Sequence, residues 1–332
     1  MVKTNDGLNS VNSIKACQLP YPTSIAHPMK RLGRILLGSL AGLGLLLIIA
    51  LAIAWAFDYR QTDADLNDEF AAQSVRPTVR RYQVGQRTIR YMETPRLSGK
   101  PTIIFVHGAP SSLSFFNEFF KDTLLLKRAQ LVSVDRPGYG YSDFGQVEPS
   151  ILKQAELLQP LIDRYKASPD LIIVGSSYGG SVSARLAMNN PGVIDQVVFV
   201  SSALGPGLER TYSISYLVDK APLRAIVPPL LRLANDEKLA HRQALEAILP
   251  DWSRITAGIT MLHGLRDELV YPTNVAFAKK QLRNAHFKQF ILPESRHDIV
   301  VNKREYIASI LLSILPPPTS NAVSHVGRHS LN

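Results

Sequence analysis

Short apolar runs alternate with longer stretches of helical periodicity over most of the chain after residue 77. The apolar runs cover residues 102–106, 130–135, 171–174, 196–201, 259–263 and 287–292. The helical patterns between them cover residues 112–127, 148–167, 178–190, 273–282 and 298–313. Continuous apolar runs are typical of parallel strands that helices cover on both faces. The pattern therefore predicts an α/β fold, with a mostly parallel sheet and helices on both of its faces.

Two further segments belong to the predicted domain, which covers residues 78–315. Residues 79–83 and 88–93 carry β-favouring side chains around a glycine, which predicts an opening hairpin. Residues 204–252 join two strands through helix-like stretches interrupted by prolines, and we expect a small helical cap at the carboxyl edge of the sheet. Their many leucines and isoleucines should pack over this edge. Changes in a mobile cap should then alter substrate range without removing the chemical machinery.

The segments on either side of this domain are polar. Residues 58–77 are acidic, lack a clear apolar period and end at a proline, which indicates a short stalk. Residues 316–332 contain three prolines near their start and no apolar period. We expect this last segment to be a disordered tail.

An uncharged apolar segment covers residues 35–57. At a rise of about 1.5 Å per residue, a helix of this length matches the roughly 30 Å hydrocarbon core of a bilayer. Basic residues dominate before this segment and acidic residues follow it, so the positive-inside rule places residues 1–34 in the cytoplasm. The sequence thus predicts a single-pass membrane protein whose catalytic domain lies on the outer side, either periplasmic or extracellular.

A cleaved signal peptide is the alternative interpretation of the same segment. Met29 begins a plausible basic leader, and Ala54-Trp55-Ala56 offers small residues at cleavage spacing. If Met29 is the true start, residues 1–28 have no structural role. The apolar run is longer than the core of a usual signal peptide, and Trp55 is typical of a membrane interface. These observations favour an uncleaved signal anchor.

Composition and charge add little beyond this organisation. Hydrophobic residues make up 45% of the chain and charged residues 19%, which is ordinary for a globular domain joined to one apolar segment. The formal net charge is +10, but the basic residues are scattered, so we expect no nucleic-acid partner. Cys17 is the single cysteine, which excludes an intramolecular disulfide and a cysteine metal cluster. The oligomeric state is left open.

A candidate nucleophile follows the apolar strand at residues 171–174. The chain continues there as Gly175-Ser-Ser177-Tyr-Gly179 and then takes up a helical pattern. A sharp turn from strand to helix strains the backbone of the serine, and small neighbours permit the close approach that the turn requires. The G-x-S-x-G pattern in this setting predicts that Ser177 is the nucleophile, with Ser176 as an adjacent serine that is out of register.

A serine hydroxyl needs a base to take its proton, and a carboxylate usually orients that base. Among the histidines, His297 follows the last predicted strand, and Asp267 follows the strand before it. The carboxyl ends of parallel strands meet at one edge of a sheet, which also carries Ser177. The sequence therefore predicts Ser177 as nucleophile, His297 as general base and Asp267 as the residue that orients the histidine.

An oxyanion hole requires two hydrogen-bond donors near the nucleophile. The N–H of Tyr178 follows Ser177 directly, and the turn His107-Gly-Ala-Pro110 follows the strand at residues 102–106. We expect the backbone N–H groups of Tyr178 and Ala109 to be these donors. For His107 we expect a structural imidazole that pairs with nearby backbone.

These motifs resemble those of the α/β-hydrolase superfamily. The residues that carry the resemblance are His107-Gly-Ala-Pro110, Asp135-Arg-Pro-Gly-Tyr-Gly-Tyr-Ser142, Gly175-Ser-Ser-Tyr-Gly179, Gly264-Leu-Arg-Asp267 and His297. The first two motifs are similar to the branch that contains epoxide hydrolases, haloalkane dehalogenases, carbon–carbon bond hydrolases and small esterases. In the first two of these groups the nucleophile is an aspartate, whereas a serine occupies position 177 here. The resemblance implies a hydrolase fold over roughly residues 78–313, with no metal and no organic cofactor.

The expected function is hydrolysis of an ester or related acyl bond of an apolar small molecule, through an acyl-enzyme on Ser177. One alternative is an acyltransferase that uses the same three residues with an alcohol or thiol as acceptor. A second alternative is a non-catalytic binding protein that retains the fold, because a fold alone does not establish a function.

Overall fold

The computed structural model describes residues 26–56, 58–282 and 286–317, and these residues form two compact units that divide after Ile53. Most of the predicted cytoplasmic segment and most of the predicted tail therefore lie outside the described residues. The first helix, α1 (Ala26–Ala56), contains nearly all of the predicted membrane segment. Within it, Arg31–Ile53 is long and apolar enough to cross a membrane. The anchor and the signal-peptide interpretations both require such a helix.

The second unit is built on one eight-stranded sheet within the described residues, in the order β1-β2-β4-β3-β5-β6-β7-β8. The strands are β1 (Thr78–Val84), β2 (Arg87–Glu93), β3 (Thr102–Val106), β4 (Gln130–Val134), β5 (Leu171–Ser176), β6 (Gln196–Val200), β7 (Gly258–Gly264) and β8 (Phe287–Leu292). The pairs β1–β2 and β2–β4 are antiparallel, and all other neighbours are parallel. This arrangement confirms the predicted fold, including the opening hairpin.

Helices cover both faces of this sheet. The helices of the second unit are α2 (Asp63–Glu69), α3 (Thr123–Arg128), α4 (Ile151–Tyr165), α5 (Tyr178–Asn189), α6 (Ser213–Val218), α7 (Leu223–Ile226), α8 (Pro229–Ile248), α9 (Thr273–Gln281), α10 (Ile299–Asn302) and α11 (Arg304–Ile314). One core packs α4, α5 and α8 against the sheet, and a second core packs α2, α3 and α11 against the other face. The central strands are buried on both sides, which is why their sequences are continuously apolar.

The predicted helix over residues 112–127 is divided in two. A 3₁₀ helix, Leu113–Lys121, comes first, and α3 begins after Asp122. The Asp122 carboxylate accepts hydrogen bonds from the N–H groups of Leu124 (2.9 Å) and Leu125 (3.1 Å). An N-cap of this kind starts a new helix. The apolar periodicity continues across Asp122, so it did not indicate where the first helix ends.

The predicted stalk at residues 58–77 is wrong, because this segment is part of the folded body. Helix α2 begins with a capping box in which Thr62 and Asp65 exchange hydrogen bonds of 3.1 and 2.7 Å. Leu66 and Phe70 are buried in the second core. The Asp63 carboxylate accepts two hydrogen bonds from the Arg81 guanidinium of β1. Two apolar side chains in a polar segment are too few to produce a visible period, yet they are sufficient to anchor it.

The predicted cap leaves the sheet after β6 and returns before β7, as expected, but its halves differ. The inner face of α8 is buried. Helices α6 and α7 contain no buried residue, and Leu217 and Ile226 are exposed. The expectation that all apolar groups of the cap pack over the site is therefore wrong for its first half. The second half of the cap, α8, is held by hydrogen bonds of its buried residues Glu237 and His241.

Candidate active site

Ser177 occupies a strained turn between β5 and α5. Its φ of 52° lies in the left-handed region that residues with a side chain seldom adopt. The neighbouring glycines make the turn possible by their lack of a side chain. A Cβ on Gly179 would lie 2.2 Å from the carbonyl oxygen of Val106, and one on Gly175 would lie 2.7 Å from Cα of Gly180. The turn presents the partly exposed serine hydroxyl at the carboxyl edge of the sheet.

The structure brings Ser177, His297 and Asp267 into one chain of hydrogen bonds. Nε2 of His297 lies 3.0 Å from Oγ of Ser177, and Nδ1 of His297 lies 2.8 Å from Oδ2 of Asp267. Because a carboxylate only accepts, Nδ1 carries a proton and Nε2 can accept the serine proton. The imidazole is therefore held in the tautomer that a general base requires.

The Asp267 carboxylate is itself held by the loop that follows β7. Its Oδ1 atom accepts hydrogen bonds from the N–H groups of Leu269 (3.0 Å) and Val270 (2.9 Å). Asp267 is buried, and His297 is partly exposed. These two backbone bonds direct the remaining oxygen, Oδ2, toward the imidazole.

A second histidine, His263, lies beside the same carboxylate and was not assigned a role from the sequence. Its Nε2–H donates to the carbonyl oxygen of Val270 at 2.9 Å and lies 3.5 Å from Oδ2 of Asp267. Burial lowers the pKa of His263, which keeps this imidazole neutral near pH 7. His263 lies at the end of β7, four residues before Asp267. This spacing was the feature of the sequence that could have indicated its position beside the carboxylate.

One expected oxyanion donor, Tyr178, directly follows Ser177, and the loop that carries the other passes close to Ser177. Tyr178 is the first residue of α5, so its N–H has no acceptor within the helix and lies at the positive end of the helix dipole. The loop after β3 passes directly over the serine. A Cβ on Gly108 would lie 2.9 Å from Cβ and 3.5 Å from Oγ of Ser177. The next residue in this loop is Ala109, the second expected donor.

His107 is a structural imidazole, in agreement with the expectation from the sequence. Its Nδ1–H donates to the carbonyl oxygen of Gly108 at 2.7 Å, and its Nε2 accepts the N–H of Arg136 at 2.9 Å. Burial and the nearby Arg136 cation hold the pKa of His107 well below its usual range. The ring is therefore neutral, with both nitrogens used to fix the loop.

An ion pair beneath this loop was not found from the sequence. The guanidinium of Arg136 forms two hydrogen bonds with the carboxylate of Glu237 on α8, at 2.8 and 3.0 Å, and both side chains are fully buried. The carboxylate also accepts the Tyr139 hydroxyl at 2.6 Å and the Gln154 amide at 2.8 Å. A polar residue inside the buried apolar stripe of α8 was the signal that could have revealed it.

Among the described residues, no group of three or more histidine, cysteine, aspartate or glutamate side chains is arranged to hold a metal ion. The chemistry available at this site is that of a serine hydroxyl, an oriented imidazole and backbone N–H groups. This combination is suited to acyl transfer through a covalent intermediate.

Comparison with known proteins agrees with the fold. Residues 101–254 match the family described as alpha/beta hydrolase fold. The chain therefore has the α/β-hydrolase fold. Among proteins of similar sequence, it is 25% identical over 269 residues to the dihydrolipoyllysine-residue acetyltransferase component of the acetoin cleaving system of Pseudomonas putida, which covers 74% of this chain and 71% of that protein. Further relatives are matched over 28% to 50% of their own length.

Two solved structures illustrate the breadth of this fold. A membrane phospholipase A described as a bacterial virulence factor superimposes with a TM-score of 0.57 and 20% identity, over 82% of this chain and 96% of that chain. A haloalkane dehalogenase loop variant from Bradyrhizobium elkanii superimposes with a TM-score of 0.57 and 18% identity, over 71% of this chain and 95% of that chain. At these identities the likeness establishes the fold alone.

Proposed function

We propose that this protein is a serine hydrolase that cleaves an ester or related acyl bond of an apolar small molecule. The observation that carries the proposal is the hydrogen-bond chain from Asp267 through His297 to Ser177, with its distances of 2.8 and 3.0 Å. This chain begins at a serine on a strained turn and ends at a buried carboxylate. Lipases and esterases among the structural neighbours support the same class of reaction.

The reaction proceeds in two halves. His297 Nε2 takes the proton of Ser177 as the serine oxygen attacks the carbonyl carbon, and the N–H groups of Ala109 and Tyr178 hold the oxyanion. His297 then donates its proton to the leaving alcohol, which breaks the carbon–oxygen bond and leaves the acyl group on Ser177. A water molecule, activated by His297, attacks the acyl-enzyme and restores the serine.

The apolar nature of the substrate is supported by the surface near the acid residue. Leu265, Leu269 and Tyr271 follow the end of β7 on both sides of Asp267, and all three are exposed. Tyr271 and Leu208 of the cap entry are joined by a backbone hydrogen bond of 3.0 Å. A screen of esters of graded acyl length should give an optimum above acetate. A preference for short, charged acyl groups would contradict this part of the proposal.

Covalent labelling tests the nucleophile directly. A fluorophosphonate probe should modify the full-length protein at Ser177, and the Ser177→Ala variant should not be labelled. Ser176→Ala is the matched control, because Ser176 is the adjacent residue at the end of β5 and lies outside the hydrogen-bond chain. This control should be labelled. Absence of labelling in the wild-type protein would favour the non-catalytic binding protein.

An acyltransferase with the same acyl-enzyme is the second candidate. It is supported by relatives whose names describe acyl transfer, namely the acetyltransferase component above and a 1-acylglycerol-3-phosphate O-acyltransferase of Arabidopsis thaliana, which is 28% identical over 121 residues. Product analysis in the presence of alcohol and thiol acceptors distinguishes the two candidates. Accumulation of the transferred product in preference to the free acid would establish transfer.

We also propose that residues 35–57 anchor the protein in a membrane, with the N-terminus in the cytoplasm and the catalytic domain outside. The long apolar helix α1 and the difference in charge across it support this topology. Protease added to intact spheroplasts should then digest the catalytic domain. Protection of the domain would overturn the orientation, and release of a soluble form that begins near residue 57 would establish the signal peptide instead.

A further inference from the structure

Helix α8 of the cap presents two buried polar side chains on its inner face. Glu237 and His241 lie one turn apart in a stripe whose other buried members are leucine and isoleucine. Both side chains are fully buried, and neither is used by the reaction described above. A buried charge is costly unless it is paired and hydrogen-bonded, so the partners of these two residues indicate what they do.

The first connection leads from Glu237 to the oxyanion donor Ala109. Glu237 holds the guanidinium of Arg136, which donates to the carbonyl oxygens of His107 at 2.8 Å and Gly108 at 3.2 Å. The Gly108 carbonyl and the Ala109 N–H belong to one planar peptide unit and point in opposite directions. Holding the Gly108 oxygen toward Arg136 therefore turns the Ala109 N–H away from Arg136, and the same loop passes close to Ser177 at Gly108.

The second connection leads from His241 to the other donor, Tyr178. The rings of His241 and Tyr178 are stacked, with centroids 4.2 Å apart and an interplanar angle of 25°. Nε2 of His241 also lies 2.9 Å from the hydroxyl oxygen of Ser181, on the next turn of α5. The Arg136 guanidinium lies 4.4 Å from the centre of the Tyr178 ring. Helix α8 and Arg136 thus hold the side chain of Tyr178, whose N–H is the second donor.

The position of His241 is fixed in turn by Glu209, at the entrance to the cap. Nδ1 of His241 lies 2.7 Å from a carboxylate oxygen of Glu209, and Lys238 lies 2.9 Å from the other oxygen. Burial acts to raise the pKa of Glu209, but His241 and Lys238 outweigh it and lower this pKa. Glu209 therefore stays ionised near pH 7 and orients the imidazole.

We propose that α8 is a brace for the oxyanion hole, in which Glu237 and His241 act through Arg136 and Tyr178 to aim the two N–H donors. They are positioning residues, because neither touches the reacting atoms. The proposal rests on the proposed serine hydrolase function. It also differs from the expectation that the cap is separable from the chemistry, because removal of α8 would leave the Arg136 charge buried without its partner.

The test compares an ester with its thionoester, in which sulfur replaces the carbonyl oxygen. Sulfur is a weak hydrogen-bond acceptor, so the ratio of the two rates reports how well the oxyanion donors are aimed. In the full-length protein, Glu237→Gln should lower kcat for the oxygen ester by about 10- to 100-fold, less than the loss of a whole donor. KM should stay within about twofold, and the ester-to-thionoester ratio should fall by a factor similar to that of kcat.

A double variant guards against misfolding of Glu237→Gln, which leaves Arg136 without its charged partner. Arg136→Met combined with Glu237→Leu removes the buried pair as a unit, a change that proteins often tolerate. It also removes the hydrogen bonds to His107 and Gly108, so the ratio should fall as well. Arg242→Gln is the matched control, because Arg242 lies on the outer face of α8, is 75% exposed and pairs with the exposed Glu246 of the same helix.

The outcomes separate the brace from a general structural role and from the proposed function. Folded variants that keep the wild-type ratio would overturn the brace. An equal loss of rate for both substrates would also overturn it, because a disturbance unrelated to the donors affects the two alike. A wild-type protein that hydrolyses no ester and takes no fluorophosphonate label would instead refute the proposed function.

Discussion

Replacing Asp267 with asparagine should leave the geometry of the site intact while placing the wrong tautomer of His297 beside Ser177. Oδ1 of Asp267 accepts two backbone N–H groups, at 3.0 and 2.9 Å. The asparagine oxygen should take this position, because an NH₂ group cannot accept those bonds. The NH₂ group would then face Nδ1 of His297, which is 2.8 Å from Oδ2 in the native site. Nδ1 would become the acceptor, Nε2 would carry the proton, and His297 could not accept the serine proton.

The expected loss in kcat is about 10⁴-fold, the size of the effect that this substitution has in a serine protease triad. It corresponds to about 5 kcal/mol of transition-state stabilisation. KM should change by less than about threefold, because the residues that contact the substrate are retained. The free energy of unfolding should change little, since the bonds to the backbone of residues 269 and 270 persist.

The assay measures kcat and KM with a p-nitrophenyl ester, together with the rate of fluorophosphonate labelling at Ser177. Asp298→Asn is the matched control, because Asp298 is exposed next to His297 and bonds to Asn302 instead of to the imidazole. Only Asp267→Asn should slow both reactions. Retention of more than about a tenth of the wild-type kcat by Asp267→Asn would refute the assigned role of this carboxylate.

Three further predictions concern stability and the turn at the nucleophile. Phe70→Ala should lower the free energy of unfolding in urea by about 3–5 kcal/mol, because the ring is buried, whereas the exposed Asp68→Ala should change it little. Gly179→Ala should lower Tm and abolish ester hydrolysis, because the added Cβ would lie 2.2 Å from the Val106 oxygen. The pKa of His107 is depressed in the folded protein, so its contribution to stability is present above the unfolded pKa of about 6.5 and falls as the pH drops below it. We therefore expect the free energy of unfolding to fall between about pH 8 and about pH 5.5 by less in His107→Asn than in the wild-type protein. An equal fall in both proteins would contradict this reasoning.

The local features of the site could be predicted because parallel strands end at a common edge. Once the strands before Ser177, Asp267 and His297 were recognised from their apolar runs, the sheet itself required the three side chains to lie near one another. The sharp turn at Ser177 could also be predicted, because the glycines that it requires are adjacent to the serine in the sequence. The hydrogen-bond distances and the tautomer of His297 are properties of the assembled loops.

The features that could not be predicted depend on contacts between distant parts of the chain. Leu66 and Phe70 are buried because they pack into the second core, which is formed by distant parts of the chain. Their sequence neighbours are polar, and this local pattern predicted a stalk. In the cap, the exposed α6 and the buried α8 are both rich in leucine and isoleucine, and composition does not distinguish them.

The sequence by itself determined the α/β order of elements, the strained serine turn and the candidate triad, since each is encoded by residues adjacent in the chain or by the geometry of strand ends. Only the tertiary structure decided which charges are buried together. Arg136 and Glu237 are 101 positions apart and meet beside the loop that follows β3. Pairing a buried charge depends on the tertiary position of both partners, and periodicity along either segment carries no information about the other.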